Sequence, residues 1–242
     1  MNKEQKILFQ RYPDLVKRLV TNNIDYILDD VLMDVPDPNI SITARSKELY
    51  RHQLFPDFKS NAEFMKYFNN KKILDVGCGY NPIYDESLIS LLSSKKNKNN
   101  NISITGCDII DMPMPNYKKC SVYTMNFRDI DTIIVNNFLY FWVSKPKDLM
   151  RAYRNLHKNL KKNGEIRVFP VYLNNYYQND NELKKYIDGN FNVKMIKPKY
   201  HDEDPFYQDK EKDSIYVLTG LGEREAKINT VLDSHTLVLK KK

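Results

Sequence analysis

Two hydrophobic patterns follow one another along the chain. Up to residue 70, apolar residues recur at helical spacing, as in KILFQRYPDLVKRLV, with one extended break at VPDPNIS. From Lys72 onward, short apolar runs alternate with further helical patterns. We therefore predict a helical N-terminal extension over residues 1–70, followed by one α/β domain over residues 71–242.

The apolar runs of the second part predict its strands. They are KILDVG, ISITGCDI, VYTMNF, DTIIVNN, GEIRVFPVY and NVKMIKP, with SIYVLTG and HTLVLKK nearer the C-terminus. Strands that alternate with helices are typical of a parallel sheet covered by helices on both faces. The predicted fold class is α/β, with a Rossmann-like, doubly wound and mainly parallel sheet of seven strands after the helical extension.

The helices carry start and stop signals. Ser60, with Glu63 three residues later, predicts the N-terminal cap of NAEFMKYF. DESLISLLSS is predicted as the helix after the first strand, and ELKKYIDGN as the helix before the sixth. Pro146 starts a long helix through KDLMRAYRNLHKNLKK, which we expect to end at Asn163 and Gly164.

The first strand ends in a glycine turn, KKILDVGCGYNP, at the sheet edge where such folds bind ligands. Gly77 and Gly79 let the backbone approach a ligand without an intervening Cβ atom. A dinucleotide site would carry a third glycine where this chain has Pro82, which disfavours NAD. Asp108 ends the second strand and is predicted to bind ribose hydroxyls. It lies beyond the usual ~20 residues because a solvated loop, SKKNKNNN at residues 94–101, is inserted before it.

The glycine turn, the acid after the second strand, the fourth strand DTIIVNNFLYFW and the motif NGEIRVFP occur in a set order. In this order the sequence resembles the class I S-adenosylmethionine-dependent methyltransferases over residues 73–171. The resemblance implies a methyltransferase with S-adenosylmethionine as its cofactor, and it places Asp75 near the methionine end. The cofactor-binding residues that it implies are Asp75, Gly77, Cys78, Gly79, Asp108, Ile109, Asn126, Phe127 and Asn136.

The catalytic groups are harder to predict, because methyl transfer needs a base only if the acceptor cannot shed its proton. Residues 41–58 are predicted to cover the cofactor and form one wall of the acceptor pocket, from which water must be excluded. The alternative is that these helices only pad the outer face of the sheet. His52 and Tyr140 are the predicted catalytic residues, and no metal site is predicted. The predicted substrate-binding residues are Tyr50, Arg51, Asn137 and Trp142.

The sequence has three cysteines, an odd number, and no C-x-x-C motif. Both observations disfavour a disulfide framework or a zinc ribbon. Cys78 and Cys107 are predicted as buried thiols at strand ends. The longest apolar run, near residues 137–143, is far shorter than the ~20 residues that a membrane helix needs. The N-terminus lacks a secretory pattern. We expect a soluble, cytoplasmic protein with no membrane contact.

The net charge of +7 permits an anionic partner such as RNA, although the lysines are scattered along the chain. A small-molecule acceptor, methylated on oxygen or nitrogen, is the expected substrate. RNA or protein methylation is the alternative that the charge allows. A catalytically silent Rossmann-like binding module is the alternative from another class, and the oligomeric state stays open.

Overall fold

The structure is a computed structural model that describes residues 47–79, 87–94, 100–109, 116–136, 139, 146–172, 181–197 and 234–242. They all belong to one unit of the chain, which contains Ser41–Lys199 and Ser234–Lys242. The predicted strand SIYVLTG and most of the loop at residues 94–101 lie outside the described residues.

Seven strands of this part form a single sheet. In chain order they are β1 (Lys72–Val76), β2 (Ser103–Asp108), β3 (Tyr117–Lys119), β4 (Ile130–Asn136), β5 (Leu160–Tyr172), β6 (Phe191–Ile196) and β7 (Ser234–Lys241). Across the sheet the order is β3-β2-β1-β4-β5-β7-β6, and only the pairs that β7 makes are antiparallel. A doubly wound nucleotide-binding sheet has this order, here with β7 inserted between its last two strands. The predicted fold class is confirmed.

Five helices are described around this sheet. They are α1 (Lys47–Leu54), α2 (Asn61–Tyr67), α3 (Leu88–Ser93), α4 (Pro146–Asn159) and α5 (Asn181–Asn190). Ser60 caps α2 as predicted, because its Oγ accepts a hydrogen bond from the N–H of Glu63 over 3.2 Å. The Glu63 carboxylate accepts from the N–H of Lys59, one residue before the cap. Among the described helices, none is both long enough and apolar enough to span a membrane.

The third strand is not where the hydrophobic alternation predicted it. β3 is Tyr117–Lys119, whereas VYTMNF, residues 122–127, begins with a turn. Val122 and Met125, three residues apart, are both buried in the core. The Nδ2 of Asn155 on α4 donates to both of their carbonyl oxygens. A side chain therefore makes the hydrogen bonds that a neighbouring strand would have supplied.

The long helix α4 ends at Asn159, earlier than predicted. The Nδ2 of Asn159 donates to the carbonyl oxygen of Asn155 over 2.7 Å, and its Oδ1 accepts from the N–H of Phe127. This side chain fixes the end of the helix to the segment before β4. β5 begins at the next residue, and Asn163 and Gly164 lie within β5, where its register with β4 shifts.

One face of the sheet, the apolar face, packs against α4 and α5. Side chains alternate along a strand, so every second residue of the central strands lies on this face. The buried sheet residues of the apolar face include Leu74, Val76, Ile133, Val135, Ile166, Val168, Leu237 and Leu239. They form one core with Tyr153 and Leu156 of α4 and Ile187 of α5.

The opposite face, the polar face, packs against α1 and α2. Asp75, Ile134 and Arg167 are register partners across β1, β4 and β5, so their side chains lie on this same face. Thr132 and Glu165 form the neighbouring row toward the amino ends of the strands. The buried polar residues of this face are Asp75, Thr132, Asn136, Arg167 and Thr236.

Candidate active site

The glycine turn lies at the carboxyl end of β1, as predicted. Gly77 has φ 69° and Gly79 has φ 58°, both in the left-handed region that glycine adopts most readily. The N–H groups of Gly77 and Cys78 donate to the carbonyl oxygen of Cys107, over 2.8 Å and 3.3 Å. The turn is therefore fixed against the end of β2.

Asp108 ends β2 beside this turn. One carboxylate oxygen, Oδ2, accepts from the N–H of Gly79 over 3.0 Å, and Oδ1 accepts from the N–H of Ile109 over 2.7 Å. Two backbone donors orient the carboxylate, while the residue itself stays partly exposed. Ile109 is the one large hydrophobic residue that is exposed among those the structure describes, with 61% of its surface accessible. An oriented carboxylate and an exposed apolar side chain thus lie together at the carboxyl end of β2.

Asp75, two residues before the turn, is fully buried. The hydroxyl of Tyr50, also buried, donates to Asp75 Oδ2 over 2.6 Å. Tyr50 belongs to α1, so the helical segment before the sheet reaches the predicted cofactor site. The structure brings Tyr50, predicted to bind substrate, to a carboxylate that was predicted to bind cofactor.

Asn136 is the last residue of β4, and it is 1% exposed. It lies two residues beyond Ile134, the register partner of Asp75, so both polar side chains face the same side. Within the described part of the chain, neither Oδ1 nor Nδ2 of Asn136 has a hydrogen-bond partner. A buried amide without partners is costly, and a polar ligand at the strand ends would supply them.

The other predicted site residues are placed less centrally. Arg51 on α1 donates to Oδ1 of Asn61 over 2.8 Å, and His52 beside it is half-buried. Asn126 is exposed, whereas Phe127 is half-buried against the core of the apolar face. Cys78 is buried, as predicted, and is not part of a disulfide. Asn137, Tyr140 and Trp142 lie outside the described residues.

The prediction of a buried thiol at Cys107 is wrong in part. Cys107 is buried but bonded to Cys120 in a disulfide, with the two Cα atoms 5.8 Å apart. The bond links the end of β2 to the residue after β3. The N–H of Cys120 also donates to the carbonyl oxygen of Asp108 over 2.7 Å. An isolated pair was not visible in the cysteine spacing because the two strands that it joins meet only in the folded sheet.

Arg167 was missed by the sequence analysis. It is buried in β5, where Nη1 donates to the carbonyl oxygen of Leu54 over 2.9 Å and to Oδ1 of Asp57 over 2.7 Å. Its guanidinium lies 4.4 Å from the Phe55 ring centroid. Burial lowers the pKa of Arg167, but the hydrogen bond to Asp57 and the charge of Glu165 outweigh burial and raise it. An arginine within the apolar run GEIRVFPVY was the available signal.

A second polar cluster lies nearer the amino ends of the strands. The hydroxyl of Tyr67 on α2 donates to Glu165 and lies 2.8 Å from Oγ1 of Thr132. Burial, and then the negative charge of Glu165, raise the pKa of Tyr67. The Nζ of Lys71 lies 3.1 Å from the Tyr67 ring centroid, and burial lowers the pKa of Lys71 to about 8. This cluster joins α2 to the sheet, away from the glycine turn.

Comparison with solved structures finds similar chains that are described as S-adenosylmethionine-dependent methyltransferases. One from Archaeoglobus fulgidus is 18% identical, with 74% of this chain and 90% of that chain covered and a TM-score of 0.43. A TehB-like protein from Corynebacterium glutamicum is 14% identical, with 72% and 82% covered and a TM-score of 0.42. The third is an N1-methyltransferase of 1,6-didemethyltoxoflavin from Burkholderia thailandensis with S-adenosylhomocysteine bound. It is 11% identical, with 71% of each chain covered and a TM-score of 0.41.

No protein-family model matches the chain, and no curated protein matches it significantly. Because the three TM-scores lie below 0.5, the fold is assigned from the strand order and register of the chain itself. That fold is a Rossmann-like sheet with its glycine turn and its acid at neighbouring strand ends.

Proposed function

We propose that the chain is a class I S-adenosylmethionine-dependent methyltransferase. The observation that carries the proposal is the pairing of Asp108 with the glycine turn, where Gly79 and the acid are joined by a 3.0 Å hydrogen bond. An acid at this strand end suits the two hydroxyls of a ribose, and the turn admits the rest of the ligand close to the backbone.

The residues present fit this cofactor better than a dinucleotide. The described helix after the turn, α3, begins at Leu88, and its N-terminus is capped by the Oγ of Ser87, which accepts from the N–H of Ser90. A dinucleotide site would use a helix N-terminus for the pyrophosphate. S-adenosylmethionine carries no phosphate, and its charged amino-acid end requires polar groups such as Asp75 and Asn136.

Each of the proposed site residues has a separate role. When bound, S-adenosylmethionine supplies an electrophilic methyl group on a sulfonium. Asp108 binds the ribose, Asp75 attracts the ammonium group, and the Asn136 amide offers a donor and an acceptor near the strand ends. In-line transfer then depends on alignment and exclusion of water rather than on strong acid–base help. Where the acceptor must lose a proton, His52 and Tyr140 are the proposed groups.

We propose a small molecule as the acceptor, methylated on oxygen or nitrogen. The support is that Tyr50 of α1 reaches the buried Asp75 carboxylate, so that the helical segment before the sheet helps to cover the predicted cofactor site. A covered site suits a compact acceptor. RNA is the second candidate, supported by the net charge of +7.

The test is titration calorimetry with S-adenosylmethionine. Asp108→Ala should weaken binding by about 2–3 kcal/mol, because it removes charge-assisted hydrogen bonds to the ribose. Asp188→Ala, on the exposed end of α5, is the matched control and should bind normally. Unchanged affinity in Asp108→Ala would remove Asp108 from the site, and binding of NAD by the unaltered chain would reopen the dinucleotide reading.

A second experiment distinguishes an active methyltransferase from a catalytically silent binding module. Incubation with cofactor that is labelled on its methyl group should label a component of a cell extract. Label in a small-molecule fraction supports the proposed acceptor, and label in RNA that weakens with added salt supports the second candidate. Tight cofactor binding with no label in any fraction would support the silent module.

A further inference from the structure

The hydrogen bond from the hydroxyl of Tyr50 to Asp75 was not predicted from the sequence. It joins α1 to Asp75 across a separation of 25 residues, over 2.6 Å between two buried side chains. A short hydrogen bond from a phenol to a carboxylate fixes the carboxylate's orientation and favours its charged form. The geometry of Asp75 therefore depends on where α1 lies.

The position of α1 is itself fixed from the polar face. Arg167 of β5 donates to the carbonyl oxygen of Leu54, at the C-terminal end of α1, and to Asp57 just beyond it. The hydroxyl of Thr236 on β7 donates to the carbonyl oxygen of Gln53. β5 and β7 thus bind the C-terminal end of α1, while Tyr50, nearer its start, contacts Asp75 of β1.

We propose that Tyr50 is a positioning residue for the amino-acid end of the cofactor, acting through Asp75. The inference rests on the proposed function, and it replaces the predicted role of Tyr50 in substrate binding. Tyr50 does not touch the acceptor. It holds the Asp75 carboxylate in the orientation that binds an ammonium group, so the helical segment before the sheet contributes to cofactor affinity.

Two ligands isolate this effect. S-adenosylhomocysteine and 5′-methylthioadenosine are both uncharged at sulfur and share the adenosine group, but only the first carries the amino-acid end. Tyr50→Phe should raise the Kd of S-adenosylhomocysteine about tenfold, the size expected for a hydrogen bond to a charged group. The Kd of 5′-methylthioadenosine should stay within about twofold, because the adenosine group is bound by other residues.

Tyr67→Phe is the matched control. Tyr67 also donates from the helical segment to a carboxylate, Glu165, but toward the amino ends of the strands. It should lose stability in thermal melts without changing the ratio of the two dissociation constants. A purely structural role for Tyr50 would make Tyr50→Phe behave in the same way, and that result would overturn the proposal.

Asp75→Asn completes the test. In this background Tyr50→Phe should add no further loss of S-adenosylhomocysteine affinity, because the carboxylate that Tyr50 orients is gone. If Tyr50→Phe does not fold, Asp75→Asn alone is titrated with both ligands, and unchanged affinity for both overturns the proposal. Failure of the unaltered chain to bind either ligand would instead refute the proposed function.

Discussion

The apolar face meets α4 and α5 mainly through aliphatic and aromatic side chains, whereas the polar face meets the segment from α1 to α2 through hydrogen bonds and an ion pair as well as buried aromatic rings. Apolar contacts are not directional, so by themselves they hold a helix less precisely than hydrogen bonds do. The hydrogen bonds on the polar face are lost within a fraction of an ångström. The polar face therefore fixes the position of α1, whose Tyr50 contacts Asp75 in the predicted cofactor site.

The largest test of this comparison removes the charge at the centre of the polar face. Arg167→Met should lower the free energy of unfolding by about 3–5 kcal/mol, because Asp57 and Glu165 lose their buried partner. Ile166→Leu, the next residue on the apolar face, conserves volume and should cost less than about 1.5 kcal/mol. Urea unfolding measures both, and equal losses would mean that the two faces are held alike.

The second test fills space beside the apolar face. A Cβ atom on Gly164 would lie 2.6 Å from Cδ2 of Leu160 and 2.9 Å from the carbonyl oxygen of Ile130. Gly164→Ala should therefore cost about 2 kcal/mol, since backbone cannot move aside cheaply. Gly189→Ala in α5 is the control: nothing lies within 4 Å, and the helix should gain up to about 1 kcal/mol. A Gly164→Ala protein as stable as the unaltered chain would contradict the tight packing at this bulge.

A third test uses pH. Burial raises the pKa of Asp57, but the hydrogen bond and charge of Arg167 outweigh burial and hold it below its ordinary value of 3.8. The charge therefore stabilises the fold above that value, and the stabilisation is lost as pH falls through the lower pKa of the folded state. Asp57→Asn should cost about 1.5 kcal/mol at pH 7, and the difference from the unaltered chain should narrow as the pH falls below 3.8. A cost that does not vary with pH would show that the charge is not involved.

The smallest expected effect comes from one hydroxyl. Thr236→Val keeps the shape of the side chain and removes the donor to the carbonyl oxygen of Gln53. The free energy of unfolding should fall by about 1 kcal/mol. Thr124→Val, at an exposed position, should change it by less than about 0.5 kcal/mol. No difference between the two variants would mean that Thr236 does not hold α1.

The sheet and the glycine turn were predictable because their signals are local. The runs that became β1 and β4 are mostly apolar and buried, and glycines at two fixed positions indicate a turn with positive φ. The prediction of β3 was wrong because a strand of three residues is too short to show an alternation of hydrophobic and polar positions. A nearby turn, with Val122 and Met125 facing one core, imitated the alternation of a strand.

The polar face was not predictable, because it consists of pairs that are far apart in sequence. Tyr50 and Asp75 are 25 residues apart, and Asp57 and Arg167 are 110 apart. A polar residue inside an apolar strand shows that a partner exists, but only the fold shows which one. The same limit applies to the disulfide of Cys107 with Cys120, which depends on how β2 and β3 pair.

The placement of β7 has a consequence for synthesis on the ribosome. β7 lies between β5 and β6, yet residues 234–241 are translated well after both. Until residues 234–241 emerge, β5 and β6 lack the partner strand that β7 will supply. An unpaired strand edge next to apolar side chains can pair with other chains. We expect the nascent chain to need protection during this interval, and a slower rate of translation through residues 197–233 to lower the yield of folded protein.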